Sequence, residues 1–290
     1  MHQASVEGAW NHMSDPRQSS DYTSRQTEAA RRVLVDVEQV LAGFRDCVVL
    51  VGGWVPDLLI TEPDEPHVGS IDVDLALDAQ KLQDGRYAEL LGLILGTGRY
   101  KPGKKSFQLQ TTVDLTDGLP AVTVDVDFLA SQEMRLRGRG RLKGFRVLQA
   151  DGCASAFRMP ELIHISGPMI DGVRNTVQVR VASLADFLVM KAHALAGRDK
   201  PKDAYDIAYC LHQAPGGVNV IAANWRERLA EPDVMEAMRI LREKFIDVDS
   251  FGPQRAAQFR GLNNTEAHAM EARRAYELVQ ALLAAITSLP

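Results

Sequence analysis

Two stretches of this chain alternate aspartate with apolar residues, and that alternation does most to limit what it can fold into. Ile71-Asp72-Val73-Asp74-Leu75-Ala76-Leu77 has a period of two, which predicts a strand with one apolar face. Asp72 and Asp74 leave the opposite face together. Val124-Asp125-Val126-Asp127-Phe128 repeats the arrangement. Neighbouring carboxylates repel, and each raises the other's pKa unless a cation lies between them. A hard, oxygen-seeking ion such as Mg²⁺ is the usual resolution. One Asp-x-Asp is well explained as a sheet face looking at water. Two such strands are not, because Lys or Thr would serve solubility equally well. Placed side by side, they build a three-carboxylate cage for two Mg²⁺ ions, able to activate a hydroxyl and clamp a triphosphate.

The remaining pattern is mixed first and helical later. Thr27 to Phe44 carries Val33, Val37, Val40 and Leu41 at helical spacing. Val48-Val49-Leu50-Val51 predicts a buried strand ending in a turn at Gly52-Gly53. Trp54 to Ile60 predicts a short helix, and Leu82 to Leu95 one that stops near Gly96 and Gly98. Phe107 to Val113, Ala121 to Leu129 and Val177 to Val181 predict further strands. The expected fold class is α+β: a mixed sheet flanked by helices over 26–182, then a helical C-terminal domain over 183–290. Residues 1–25, polar throughout, are expected to form a disordered tail.

Composition narrows the function. The 290 residues are 46% apolar and 24% charged, with a formal charge of −5, which excludes a fibre, a disulfide scaffold and an all-over basic coat for nucleic acid. Cys47, Cys153 and Cys210 show no pairing or metal spacing, so reduced thiols and a cytoplasmic location are expected. No apolar run reaches the roughly 18 residues of a membrane span, and no membrane partner is expected.

Other candidates carry weaker signals. Gly52-Gly53 lets backbone N–H groups approach a phosphate, or simply makes a turn. Ser70 hydrogen-bonds a phosphate or starts the strand. Ser183 and Asp186 form a Ser-x-x-Asp cap, after which Leu184, Phe187, Leu188, Lys191 and Leu195 share one stripe. A lysine on that stripe must pair, snorkel or face a pocket. Pro201 suits a helix's first turn, where Asp203 and Asp206 complement the dipole; that account fits Asp203 better than Asp206. Arg135, Arg137, Arg139, Arg141, Lys143 and Arg146 run with no acid among them. They form either a ribbon facing nucleic-acid phosphates or a solvated hairpin.

Taken together, Val51-Gly52-Gly53, Ser70-Ile71-Asp72-Val73-Asp74 and the strand with Asp127 resemble the nucleotidyltransferase (polymerase-beta-like) fold. Lys191-Ala-His-Ala-Leu-Ala-Gly-Arg198 with Lys202-Asp203-Ala-Tyr-Asp206 is similar to the AbiEii/AbiGii toxin family within it. The resemblance covers about residues 45–212. It implies Mg²⁺-dependent transfer of a nucleotide from an NTP, often to tRNA, by the toxin of a bacterial toxin–antitoxin or phage-defence pair with a cognate antitoxin. Carried over, Asp72 and Asp74 hold Mg²⁺ and Lys191 steadies the triphosphate or ribose. Asp206 orders that lysine or the acceptor. By their own chemistry, apart from the resemblance, Gly52, Gly53 and Ser70 are expected to line the nucleotide, and Arg135, Arg137, Arg139 and Arg141 to meet nucleic acid. Asp127, ahead of Phe128-Leu129, best fits the third carboxylate, with Asp125 second. Val51-Gly52-Gly53-Trp54-Val55-Pro56-Asp57-Leu58-Leu59 also resembles the glycine run of tRNA-terminus-adding nucleotidyltransferases, with Pro56 where those carry arginine. A catalytically silent nucleotide- or partner-binding relative is the non-enzyme alternative; the intact Asp72, Asp74, Asp127, Lys191 and Asp206 argue against it.

Overall fold

The computed structural model describes residues 16–83, 85–132, 145–262 and 264–287. Arg135, Arg137, Arg139, Arg141 and Lys143 lie outside the described residues, whereas Arg146 lies within them and is exposed.

The strands are β1 (Val48–Val51), β2 (Val73–Leu77), β3 (Lys101–Pro102), β4 (Gln108–Val113), β5 (Val122–Ala130), β6 (Leu148–Gln149), β7 (Glu161–Pro168) and β8 (Arg174–Val181). They form one mixed sheet in the order β3-β4-β5-β2-β1-β8-β7, with β6 paired to the end of β5. β1 is buried at all four residues because β2 and β8 flank it, as a continuous β-branched run predicts. β5 alternates: Val124, Val126, Phe128 and Ala130 are buried while Asp125 and Asp127 are half-buried. β2 and β5 run parallel and adjacent, with Asp74 opposite Asp127. The acidic strands are therefore neighbours.

The helices are α1 (Ser24–Val40), α2 (Trp54–Leu59), α3 (Arg86–Gly96), α4 (Leu184–Gly197), α5 (Pro201–Gln213), α6 (Gly217–Glu227), α7 (Pro232–Lys244), α8 (Phe251–Phe259) and α9 (Thr265–Thr287). α1 begins at a reciprocal capping box between Thr23 and Gln26 and lies across the sheet. The expected Ser183 cap is formed, its Oγ accepting from the Asp186 N–H at 3.1 Å, and Pro201 opens α5.

Two expectations change. Residues 16–25 are not tail: a single 3₁₀ turn spans Ser19–Asp21, and Tyr22 packs edge-on against Phe259 at 5.6 Å. The buried apolar residues, from Ala29 to Ile286, form one contiguous core, so the change at residue 183 is a change of layer within that core. β7 escaped the sequence reading. It is the edge strand next to β8, with Glu161, Leu162, His164 and Ser166 exposed, and so carries no clean alternation.

Candidate active site

The acidic strands and the start of α5 face one another. Asp74 lies beside Asp127 in strand register, while Asp125 is paired with Gln110 across β4, one step further along β5. The geometry thus groups Asp72, Asp74 and Asp127 and leaves Asp125 at their edge, its carboxylate accepting from Gln110 Nε2 at 2.8 Å.

The three acids are held differently. Burial raises the Asp74 carboxyl, and Asp72 and Asp127 push it further, to about 8. Burial also raises Asp127, to about 6, although Gln108 Nε2 donates to it at 2.9 Å. Burial opposes ionisation of Asp72 as well, yet Lys200, the Ser70 hydroxyl, Lys202 and Lys191 hold it below the usual carboxylate range. The Ser70 hydroxyl donates to Asp72 at 2.6 Å. Ser70 is thus committed to an aspartate, a role neither sequence reading named.

The glycine pair makes room for this chemistry. Gly52 has φ +72°, and a Cβ on it would fall 2.8 Å from Asp74 Cγ. A Cβ on Gly53 would lie 2.8 Å from Ser70 Oγ and 3.0 Å from Lys202 Nζ. Trp54, 2% exposed, donates its indole N–H to the Asp72 carbonyl at 2.8 Å. The Trp ring therefore supports the acidic strand from below the turn.

Opposite lies an ionic network, buried at Lys191, Lys202, Asp203 and Asp206 and exposed at Arg198. Lys191 Nζ is 2.8 Å from both Asp203 Oδ1 and Asp206 Oδ2. Arg198 forks onto Asp203 at 2.7 and 2.9 Å, and Lys202 donates to Asp206 at 2.9 Å. Of the three expectations for Lys191, pairing is what the structure shows. Burial alone would lower its pKa, but Asp203 and Asp206 reverse the sign and raise it. Burial opposes ionisation of Asp206 too, and Lys191, Lys202 and His67 hold it well below the usual range. Asp203 falls to about 2, Lys191 and Arg198 outweighing its burial. Dipole compensation is therefore a minor part of why α5 carries these acids.

His67 belongs to the network and gave no sequence signal. Its Nδ1 accepts from the Gly69 N–H at 3.1 Å, which leaves Nε2 to donate to Asp206 Oδ1 at 3.0 Å. Burial lowers its pKa to about 4, with Lys202 adding to the effect, so it is neutral at pH 7. Lys202 and Asp206 were readable as an i, i+4 pair on one helix face. The first-turn account concealed Asp203, which is 0% exposed.

In net count, Lys191, Lys202 and Arg198 set three positive charges against the two of Asp203 and Asp206. Lys200 adds another: it is the strongest cation acting on Asp72 and Asp74. The cleft thus has an acidic wall on the sheet and a cationic wall on α4 and α5. Such a pair of walls offers oxygen donors to a cation on one side and ammonium and guanidinium groups to an anion on the other.

A sequence model of the family described as "Nucleotidyl transferase AbiEii toxin, Type IV TA system" matches residues 34–277. No curated protein matches. A solved structure described as an antigenic nucleotidyltransferase-like protein from Paracoccidioides brasiliensis is 16% identical, with a TM-score of 0.39, over 73% of this chain and 94% of its own. No helix among the described residues is long and apolar enough to cross a membrane. The matched region contains both acidic strands, Lys191, Arg198, Asp203 and Asp206, and the chain belongs to the AbiEii nucleotidyltransferase toxin family of type IV toxin–antitoxin systems.

Proposed function

We propose that this nucleotidyltransferase uses Mg²⁺ to transfer a nucleotide from an NTP to an RNA acceptor, with tRNA the acceptor expected, and that a cognate antitoxin restrains it. One observation carries the reading: the acidic wall of Asp72, Asp74 and Asp127 faces the cationic wall of Lys191, Arg198, Lys200 and Lys202.

The donor set fits a hard divalent cation. All three groups are carboxylates, and burial together with mutual repulsion raises two of them, the strain a bound cation relieves. Among the described residues no three such side chains already converge on one point. Asp72 is tied to Ser70 and Asp127 to Gln108, and loading competes with these two hydrogen bonds. Bound Mg²⁺ would be held by Asp72, Asp74 and Asp127 and would neutralise charge developing on the phosphoryl oxygens. Lys191 and Lys202 offer ammonium groups to the triphosphate, while Asp203 and Asp206 fix where those ammonium groups stand. Asp127, on the β5 side, receives the proton of the acceptor hydroxyl. The basic run with Arg135, Arg137, Arg139 and Arg141 contributes phosphate contacts to the acceptor.

The test supplies each of four α-labelled NTPs with total tRNA, with Mg²⁺ or with chelator. Label should enter RNA from one or a few NTPs, only with Mg²⁺, and not with Asp72→Ala. Label entering protein alone would remove RNA as the acceptor. Full transfer in chelator would remove the metal.

A further inference from the structure

The residues read as tail bring one aromatic ring into the cleft. The chain from Arg17 to Thr23 crosses from the start of α5 to the end of α8. Arg17 pairs with Asp199 at 3.5 Å, and the Ser19 hydroxyl donates to the Arg260 carbonyl at 3.4 Å. Asp21 closes the turn by accepting from the N–H groups of Arg17 and Gln18 at 2.8 and 2.9 Å. The next residue, Tyr22, points inward. Its ring meets Phe259 edge-on, and Lys202 Nζ stands 5.4 Å from its centroid. That same ammonium donates to Asp206 and lies beside Gly53 and Ser70. Lys202 is therefore sandwiched between the Tyr22 ring and the glycine turn.

We propose that Tyr22 is a nucleotide-positioning residue, its ring holding Lys202 in place and its phenol donating a hydrogen bond to a phosphate oxygen of the bound NTP. This rests on the reading that the cleft takes an NTP. Two properties suit the phenol to that task. The Lys202 ammonium 5.4 Å from the ring centroid is bonded to Asp206 and would lie 3.0 Å from a Cβ on Gly53, which places the ring at the edge of the site. A tyrosine phenol, with its ordinary pKa of about 10, is protonated at neutral pH and so donates. The Phe259 contact and the cation–π contact fix the ring without using the hydroxyl.

Full-length Tyr22→Phe keeps both ring contacts and removes only the donor, so it folds as the parent does; Tyr22→Ala removes both. Binding is measured with the non-hydrolysable α,β-methylene analogues of all four NTPs in Mg²⁺. KM and kcat are measured for the NTP used in transfer. Tyr22→Phe should raise the analogue Kd and the NTP KM about tenfold, the scale of one hydrogen bond to a charged group. Its kcat should stay within about twofold and its melting temperature should not change. Tyr22→Ala should raise KM further. Tyr22→Phe binding and turning over like the parent overturns the assignment. So does a nucleotide found covalently attached to Tyr22 by mass spectrometry, which would make the phenol an acceptor. If the parent binds none of the four analogues, the NTP reading itself falls, and this inference with it.

Discussion

The Asp74 carboxylate fills the space that any residue other than glycine at position 52 would need, a Cβ there falling 2.8 Å from Asp74 Cγ. Gly52 also has φ +72°, where an L side chain is strained in its own right. Gly52→Ala should therefore lower stability by about 1–3 kcal/mol and abolish transfer by displacing Asp74. A double-mutant cycle separates the two causes. In an Asp74→Ala background the same glycine change should cost less, leaving only the backbone part. Equal costs in both backgrounds would mean the carboxylate is not what forbids a side chain there.

Asp72 and Asp74 should respond differently to neutralisation. Asp74 is the acid that burial and its neighbours push up to about 8, whereas nearby lysines hold Asp72 down. Without divalent metal, Asp74→Asn should raise the melting temperature at pH 8 and Asp72→Asn should not. Both should abolish transfer. Thermal melts of the two variants in chelator check this, and equal shifts would contradict the unequal strain.

Lys191→Met keeps the apolar stem and removes the charge. Because Lys191 neutralises both Asp203 and Asp206 at 2.8 Å, the loss should cost stability as well as NTP use. Breaking a buried pair of this kind costs roughly 3–5 kcal/mol. Urea unfolding checks this: an unaltered midpoint would mean the pairs contribute nothing net.

His67 sets an acid limit on the fold. Its folded pKa, near 4, lies below the ordinary histidine value of about 6.5. Its contribution is therefore complete above 6.5 and is lost as pH falls through about 4. Over that window the slope approaches about 1.4 kcal/mol per pH unit, one proton's worth. Asp203, depressed to about 2, adds a second loss at lower pH, in the same direction. His67→Gln should flatten stability between pH 6.5 and 4. An unchanged slope would show that the proton is taken up elsewhere.

The basic run is tested through salt. Arg137, Arg139 and Arg141 all changed to Ser should weaken tRNA binding and lower the log–log salt slope by roughly 0.7 per lost contact. Binding of NTP analogues should stay as in the parent. An unchanged slope would place the acceptor elsewhere on the surface.

The sheet half of the site was legible because its signals are local. Asp72, Asp74 and Asp127 stand out by strict alternation, and Gly52 and Gly53 by following a buried run. The helical half was only partly so. Lys191 was visible as a charge on an apolar stripe, but what it pairs with depends on how α4 and α5 are packed. Asp203 looked like an ordinary first-turn acid until its side chain proved to be 0% exposed. His67 and Tyr22 lie outside any periodic segment and reach the site through contacts 139 and 180 residues away in sequence. No window of neighbouring residues contains that information.

The order in which the two walls occur along the chain bears on how this toxin is made. All three carboxylates have been synthesised by residue 127, whereas the cations facing them begin at Lys191 and end at Lys202. A nascent chain that has completed the sheet therefore carries its acidic wall without the α4 and α5 cations that face it. The cationic wall exists only once α5 has left the ribosome. Catalytic competence is thus deferred to the last third of translation, and a half-made chain carries only one of the two walls.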